Sequence, residues 1–173
     1  MADRAQGRRR PRRKGRAASD GERRQLAYAA RHPAAPPAAP EAGEWARLLC
    51  DGGSRGNPGP AAIAAVLLAP GGAVLDTSSE LIGRATAAEA EYRAIGLGLR
   101  LAAAAGADPV EVRSDSQLAI AALAQERSAD AALTALVLEI RAAASELSAV
   151  RWRWHPRSEN HAADELVRLL LWP

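Results

Sequence analysis

Between residues 45 and 85 the apolar positions fall into three short runs separated by glycine and proline. Residues 45–50 (Trp45, Ala46, Leu48, Leu49 and Cys50 around Arg47) form an apolar strand that ends at Asp51; residues 61–69 and 73–82 form two more, with Pro70-Gly71-Gly72 as the turn between them. Connections this short predict a three-stranded antiparallel meander. From residue 87 the spacing becomes helical: Ala90, Ala94, Leu97 and Leu101 share a face over residues 87–105, and Gly106 is the stop. Residues 110–114 make a short strand that ends at Asp115. A strand entered from a crossover helix should pair in parallel through a right-handed connection. Residues 116–126 and 130–145 read as two more helices, the second with Leu133, Leu136, Val137, Ile140 and Ala144 on one face. In Val150–Trp154 the period is two, so both tryptophans point to one side and both arginines to the other. A loop over residues 155–159 then opens a last helix, for which Asn160 is a favourable N-cap. The order βββαβααβα predicts an α/β fold with a mixed five-stranded sheet, three antiparallel strands and two further parallel ones, flanked by helices.

The first 43 residues do not share this patterning. Residues 8–16 are a block of arginines with Lys14, and residues 33–40 a Pro/Ala linker; neither buries enough apolar surface to offset the entropy of ordering. A short helix around Leu26 and Tyr28, over residues 20–31, is the one element expected there. The chain therefore divides into a basic arm and linker, 1–43, and a folded domain, 44–173. Residues 1–44 carry 11 Lys/Arg against 5 Asp/Glu, whereas residues 45–173 carry 12 against 15, so the basic character of the chain belongs to the arm. Such a block is either a solvated tail or a sequence-independent phosphate binder acting by counterion release. The single cysteine, Cys50, can form no internal disulfide and cannot by itself hold a structural zinc, so a reducing cytoplasm is expected. No apolar run reaches the ~18 residues of a membrane span, and the arginine-rich N-terminus lacks the apolar core of an export signal.

Candidate chemistry starts at Asp51, where the first strand runs into Gly52-Gly53-Ser54-Arg55-Gly56-Asn57-Pro58-Gly59-Pro60. An Asp-Gly pair is by itself a common turn signal. Its meaning depends on company, and three more acids fall where the layout would bring them together: Glu91 early in the first long helix, Asp115 at the end of the fourth strand, and Asp164 in the first turn of the last helix. If the first and fourth strands are parallel neighbours, their C-terminal ends adjoin, and that is the edge where ligands bind in such sheets. Carboxylates gathered at one edge repel one another unless a divalent cation sits among them. Hard oxygen ligands suit Mg²⁺ or Mn²⁺ rather than zinc. The inference is a phosphate-processing metal site, in which a pair of ions stabilises the attacking water and the leaving oxygen.

Over residues 45–172 the chain resembles type 1 ribonuclease H in the compact form similar to archaeal and some bacterial members. The segments that carry the resemblance are Asp51-Gly52-x-x-x-Gly56-Asn57-Pro58-Gly59-Pro60, Ala90-Glu91-Tyr92, Val112-Arg113-Ser114-Asp115-Ser116-Gln117-Leu118 and Pro156-Arg157-x-x-Asn160-x-x-Ala163-Asp164, in family order. The resemblance implies Asp51, Glu91, Asp115 and Asp164 as metal-binding and catalytic acids, and hydrolysis of the RNA strand of an RNA–DNA hybrid to 5′-phosphate and 3′-hydroxyl ends. It places Gly53, Ser54, Arg55 and Asn57 against the RNA strand, whose 2′-hydroxyls distinguish it from DNA, Thr86 at a DNA phosphate and Gln117 near the RNA. His155 stands where some members have a histidine for proton transfer or product release, and local packing at a strand end is the other reading; His161 is a lesser candidate. The pattern departs from the family at Thr86-Ala87-Ala88, where members usually have Thr-Asn-Asn, and in lacking a basic handle between the central helices, a contact that the arginine arm could supply. The expected enzyme is a cytoplasmic monomer using two Mg²⁺ or Mn²⁺ ions. A catalytically weak nucleic-acid-binding domain of the same fold, or a nuclease for another RNA-containing substrate, stays open as an alternative.

Overall fold

The computed structural model describes residues 44–126 and 130–173; the expected basic arm, linker and short helix over residues 20–31 lie outside the described residues. The elements are β1 (Ala46–Ser54), β2 (Gly59–Leu68), β3 (Val74–Ala85), α1 (Ala87–Ala104), β4 (Val110–Ser114), α2 (Gln117–Ala124), α3 (Ala131–Ser145), β5 (Val150–Trp154) and α4 (His161–Leu171), with a 3₁₀ turn at Arg157–Glu159. They form one mixed sheet in the order β3-β2-β1-β4-β5. β1 and β2, and β2 and β3, pair antiparallel, while β4 joins β1 and β5 joins β4 in parallel. The βββαβααβα order and the mixed sheet expected from the patterning are both present.

β1 corrects one expectation. It does not end at Asp51 but continues through Gly52 and Gly53 to Ser54, in register with β2 from Arg47↔Leu68 to Ser54↔Ala61. Nor do Gly52 and Gly53 take a positive φ; within that loop only Gly56 does, at 89°. The two glycines are there for proximity rather than for turning. β3 likewise runs on past residue 82 to Ala85, paired with Gly59.

β1 is buried on both faces, which is why its sequence is almost continuously apolar rather than alternating. Leu48 and Cys50 look toward α1 and join Ile63, Leu67, Ile95, Leu99, Val110, Val112, Leu123, Val137 and Ile140 in the larger core. Leu49 looks the other way, with Ala62, Ala64 and Val66, into a smaller core closed by Ala163, Leu166, Val167 and Leu171 of α4. α1 lies unusually close to β1. A Cβ on Gly98 would come within 2.5 Å of Leu48 Cδ2 and 2.9 Å of Cys50 Sγ. Among the described residues no helix is long and apolar enough to cross a membrane.

Candidate active site

Three acids meet where β1, α1 and β4 come together. One carboxylate oxygen from each of Asp51, Glu91 and Asp115 lies within 4.8 Å of the others, a spacing a single cation can bridge. Asp51 is delivered by β1, on the α4 side of the sheet. Glu91 comes from α1, whose start is set by Thr86: its hydroxyl accepts the Glu89 N–H at 3.1 Å. Gly52 brings that helix in. A Cβ there would stand 2.2 Å from the Ala90 carbonyl carbon, 2.3 Å from its oxygen and 2.5 Å from the Glu91 amide nitrogen, all backbone atoms that cannot swing aside. Asp115 follows β4 directly; Trp154 Nε1 donates to its carbonyl at 3.1 Å, Ser114 Oγ accepts the Ser116 N–H at 3.1 Å, and Ser116 Oγ caps α2 by accepting the Ala119 N–H at 3.4 Å.

The electrostatics are those of a cation site. Burial first, then the charges of Asp115 and Asp164, push the Asp51 carboxyl up to about 7 against the opposing pull of Arg157. Burial, then Asp51 and Asp115, push Glu91 up to about 9, with Arg157 and the Ser114 hydroxyl opposing. Glu91 Oε2 and Asp115 Oδ1 are buried without a hydrogen-bond partner. Oxygen-only donors, mutual repulsion and two orphaned carboxylate oxygens together fit a hard divalent ion.

Asp164 stands apart from the trio. Its Oδ1 accepts from Arg157 Nη2 at 2.5 Å, an ion pair formed across the turn that separates the 3₁₀ segment from α4. Arg157 thus faces the fourth acid directly and Asp51, Glu91 and Asp115 at longer range. Asn160 is a second residue whose part is visible only in three dimensions. Its side chain makes no N-cap bond, contrary to expectation; it is fully buried and turns inward, with Nδ2 donating to Cys50 O at 2.9 Å and lying 3.5 Å from Asp51 Oδ1. The β1–β4 register ends at Leu49↔Arg113, and the Cys50 carbonyl just beyond it needs a donor more than the helix end needs an acceptor. Arg157 and Asn160 were visible in the sequence as part of a Pro-Arg-x-x-Asn-x-x-Ala-Asp pattern, which does not disclose what either side chain touches.

The other candidate residues are placed as follows. Gly53 and Ser54 are in β1, and Ser54 Oγ donates to Gly56 O at 2.6 Å. Arg55 Nη1 donates to Leu171 O at 2.7 Å, tying the loop to the end of α4. Asn57 Oδ1 accepts the Ala87 N–H at 3.1 Å, so the β1–β2 loop is fastened to the first turn of α1. Gln117 opens α2 and is exposed. His155 is buried, 3% exposed, and neither ring nitrogen has a hydrogen-bond partner. Burial first and then Arg113 hold its pKa below the usual histidine value, while Glu159, Asp115 and the Asn160 side chain pull the other way. His161 is exposed at the start of α4. Of the two tryptophans of β5, Trp152 packs on the larger core, while Trp154 is 44% exposed beside Asp115.

A family model described as reverse transcriptase-like matches residues 49–169, which includes every acid of the site. Ribonuclease HI of Halobacterium salinarum is 46% identical over 79 residues, covering 46% of this chain and 40% of that protein. Bifunctional protein Rv2228c of Mycobacterium tuberculosis is 40% identical over 122 residues, 69% of this chain and 34% of its own length. The chain therefore spans well under half the length of these curated relatives. Among solved structures, the N-terminal RNase H domain of Rv2228c superposes with a TM-score of 0.69 at 37% identity, covering 71% of this chain and 90% of that one. LC11-RNase H1 in complex with an RNA/DNA hybrid gives 0.67 at 32% identity, covering 71% and 94%. Sheet order, the carboxylate edge and these likenesses agree, and the chain belongs to the type 1 ribonuclease H family.

Proposed function

We propose that this protein is a metal-dependent endonuclease that hydrolyses the RNA strand of RNA–DNA hybrids, leaving 5′-phosphate and 3′-hydroxyl ends. The observation that carries the reading is the convergence of Asp51, Glu91 and Asp115 within 4.8 Å, with burial and neighbouring negative charge pushing the Asp51 and Glu91 carboxyls up. Those three residues would hold Mg²⁺ or Mn²⁺, with Asp164 joining them once Arg157 is drawn to a substrate phosphate. Two such ions when substrate is bound would supply an activated water and charge neutralisation at the phosphoryl oxygens. The chain's own residues do the rest. Asn160 holds the Asp51 side of the site against β1, Trp154 fixes the Asp115 backbone, and the Arg55 and Asn57 anchors set the loop that faces the RNA strand. Hybrid as substrate is supported by LC11-RNase H1, a relative solved with an RNA/DNA hybrid.

The same reading makes the protein a cytoplasmic monomer whose basic residues 1–43 add phosphate contacts. The lone cysteine, buried and with its thiol pushed up by burial and the neighbouring Glu91 and Asp51, agrees with a role in packing rather than in disulfide chemistry. The test is cleavage of labelled RNA–DNA hybrid, duplex RNA and duplex DNA with Mg²⁺, Mn²⁺ or EDTA, alongside Asp115→Asn. Cleavage confined to the hybrid's RNA strand, lost in EDTA and in the variant, is expected. Binding without cleavage would refute the enzyme; equal cleavage by the variant would refute the site.

A further inference from the structure

β5 is an edge strand, and its α4-facing side carries a line of arginines. Arg151 and Arg153 stand opposite Glu111 and Arg113 of β4, with side chains 52% and 58% exposed. α4 packs mainly over β1, β2 and β3, to one side of them. One buried carboxylate organises the group. Glu111 Oε1 accepts from Arg113 Nε at 2.7 Å, and its Oε2 lies 3.3 Å from Arg151 Nη1 and 3.7 Å from Arg153 Nη1. The Trp45 ring braces the cluster from outside, 4.2 Å from Arg151 Cζ.

Compensating Glu111 needs one positive charge, and the cluster supplies three. The surplus sits on half-exposed guanidiniums, in a domain whose residues 45–173 are as a whole net acidic, with 12 Lys/Arg against 15 Asp/Glu. Past the end of β5 the chain runs through His155, buried beside Arg113, to Arg157, whose partner is Asp164.

We infer that Arg151 and Arg153 bind the phosphodiester backbone of the nucleic acid held at the acid cluster, extending its contact along β5. This rests on the proposed hybrid nuclease activity. An acid cluster repels the polyanion it must cleave, and a pair of cations gathered at Glu111 supplies the missing attraction. The contact is with phosphates alone, so it is independent of base sequence and sensitive to salt.

The test measures hybrid affinity of the full chain without divalent ions over a range of salt, for wild type, Arg151→Gln with Arg153→Gln, and Arg151→Lys with Arg153→Lys. Losing two phosphate contacts should lower the slope of log K against log [salt] by about 1.8, so that the fall in affinity between ~50 and ~200 mM salt shrinks about twelve-fold. The lysine pair should keep the slope, and the glutamine pair should still cleave a hybrid just long enough to cover the acids. If the glutamine pair does not fold, Arg153→Gln alone, which leaves Glu111 two partners, should lower the slope by about 0.9. A lost slope in the lysine pair overturns the electrostatic basis. An unchanged slope in the glutamine variants, with wild type still binding and cleaving, overturns this inference alone and leaves the line to an acidic protein partner. A wild type that neither binds nor cleaves hybrid overturns the proposed function with it.

Discussion

Replacing Glu91 by glutamine tests the electrostatics of the site without any substrate. The Glu91 carboxyl is pushed from 4.5 up to about 9, chiefly by burial and then by Asp51 and Asp115. In the metal-free folded protein at neutral pH it therefore carries a proton, whereas in the unfolded chain it is ionised. The folded state binds the extra proton, so stability is greatest below the unfolded value and falls as pH rises from 4.5 toward 9, by about 1.4 kcal/mol per unit. At about pH 7.5 the three units traversed amount to a ceiling of about 4 kcal/mol. Asp51, itself pushed up to about 7 and coupled to the same charges, shares part of that cost, so a gain of about 2–4 kcal/mol is expected for the variant. Glutamine has nearly the same shape and is neutral in both states, so it escapes the penalty. Urea unfolding in EDTA should show Glu91→Gln more stable than wild type at about pH 7.5 and the two nearly equal at about pH 4.5, where the penalty vanishes. Mg²⁺ at about a thousand times Kd should reverse the order, because only the wild type gains binding free energy, about 4.1 kcal/mol at that excess. A stability difference independent of pH, or a variant less stable at the higher pH in EDTA, would refute the reasoning.

Further variants probe the placement of single groups. Gly52→Ala forces Cβ against the Ala90 and Glu91 backbone; a loss of at least about 3 kcal/mol in urea unfolding is expected, with weaker Mg²⁺ binding by calorimetry, and a variant of wild-type stability would show that α1 does not depend on this approach. Arg157→Gln removes a charge that pulls Asp51 and Glu91 downward, so their pKa values rise further and the pH profile of cleavage should move to higher pH; an unmoved profile would refute the long-range role of the guanidinium. His155→Asn should cost about 1–3 kcal/mol of packing and leave the pH profile unchanged, since the ring is buried and its pKa held low; loss of a limb of that profile would make His155 a proton-transfer group. Ala87→Asn with Ala88→Asn should tighten hybrid binding in a filter or anisotropy assay, and unchanged affinity would refute the idea that these two alanines weaken the substrate contact.

Much of the fold was legible because its signals are local. The period of two in Val150–Trp154 and the helical spacing of Ala90, Ala94 and Leu97 follow from where each element buries its face. The end of β1 is not legible locally, for a reason of the same kind in reverse. Gly52-Gly53 looks like a turn to any local rule, and it is strand because β2 pairs with it and α1 presses on it. Asn160 has the composition of a cap and the environment of a core amide.

By itself the sequence determined which acids the protein has to work with and in what order they enter, since an apolar run ending in Asp51 or Asp115 and a helix bearing Glu91 are properties of nearest neighbours. Tertiary structure alone decided how they are used. Distances of a few ångströms bring Asp51, Glu91 and Asp115 together, give Asp164 to Arg157, and turn Arg151 and Arg153 outward around Glu111. Burial and Coulomb interaction act through space, and they join residues that lie far apart along the chain.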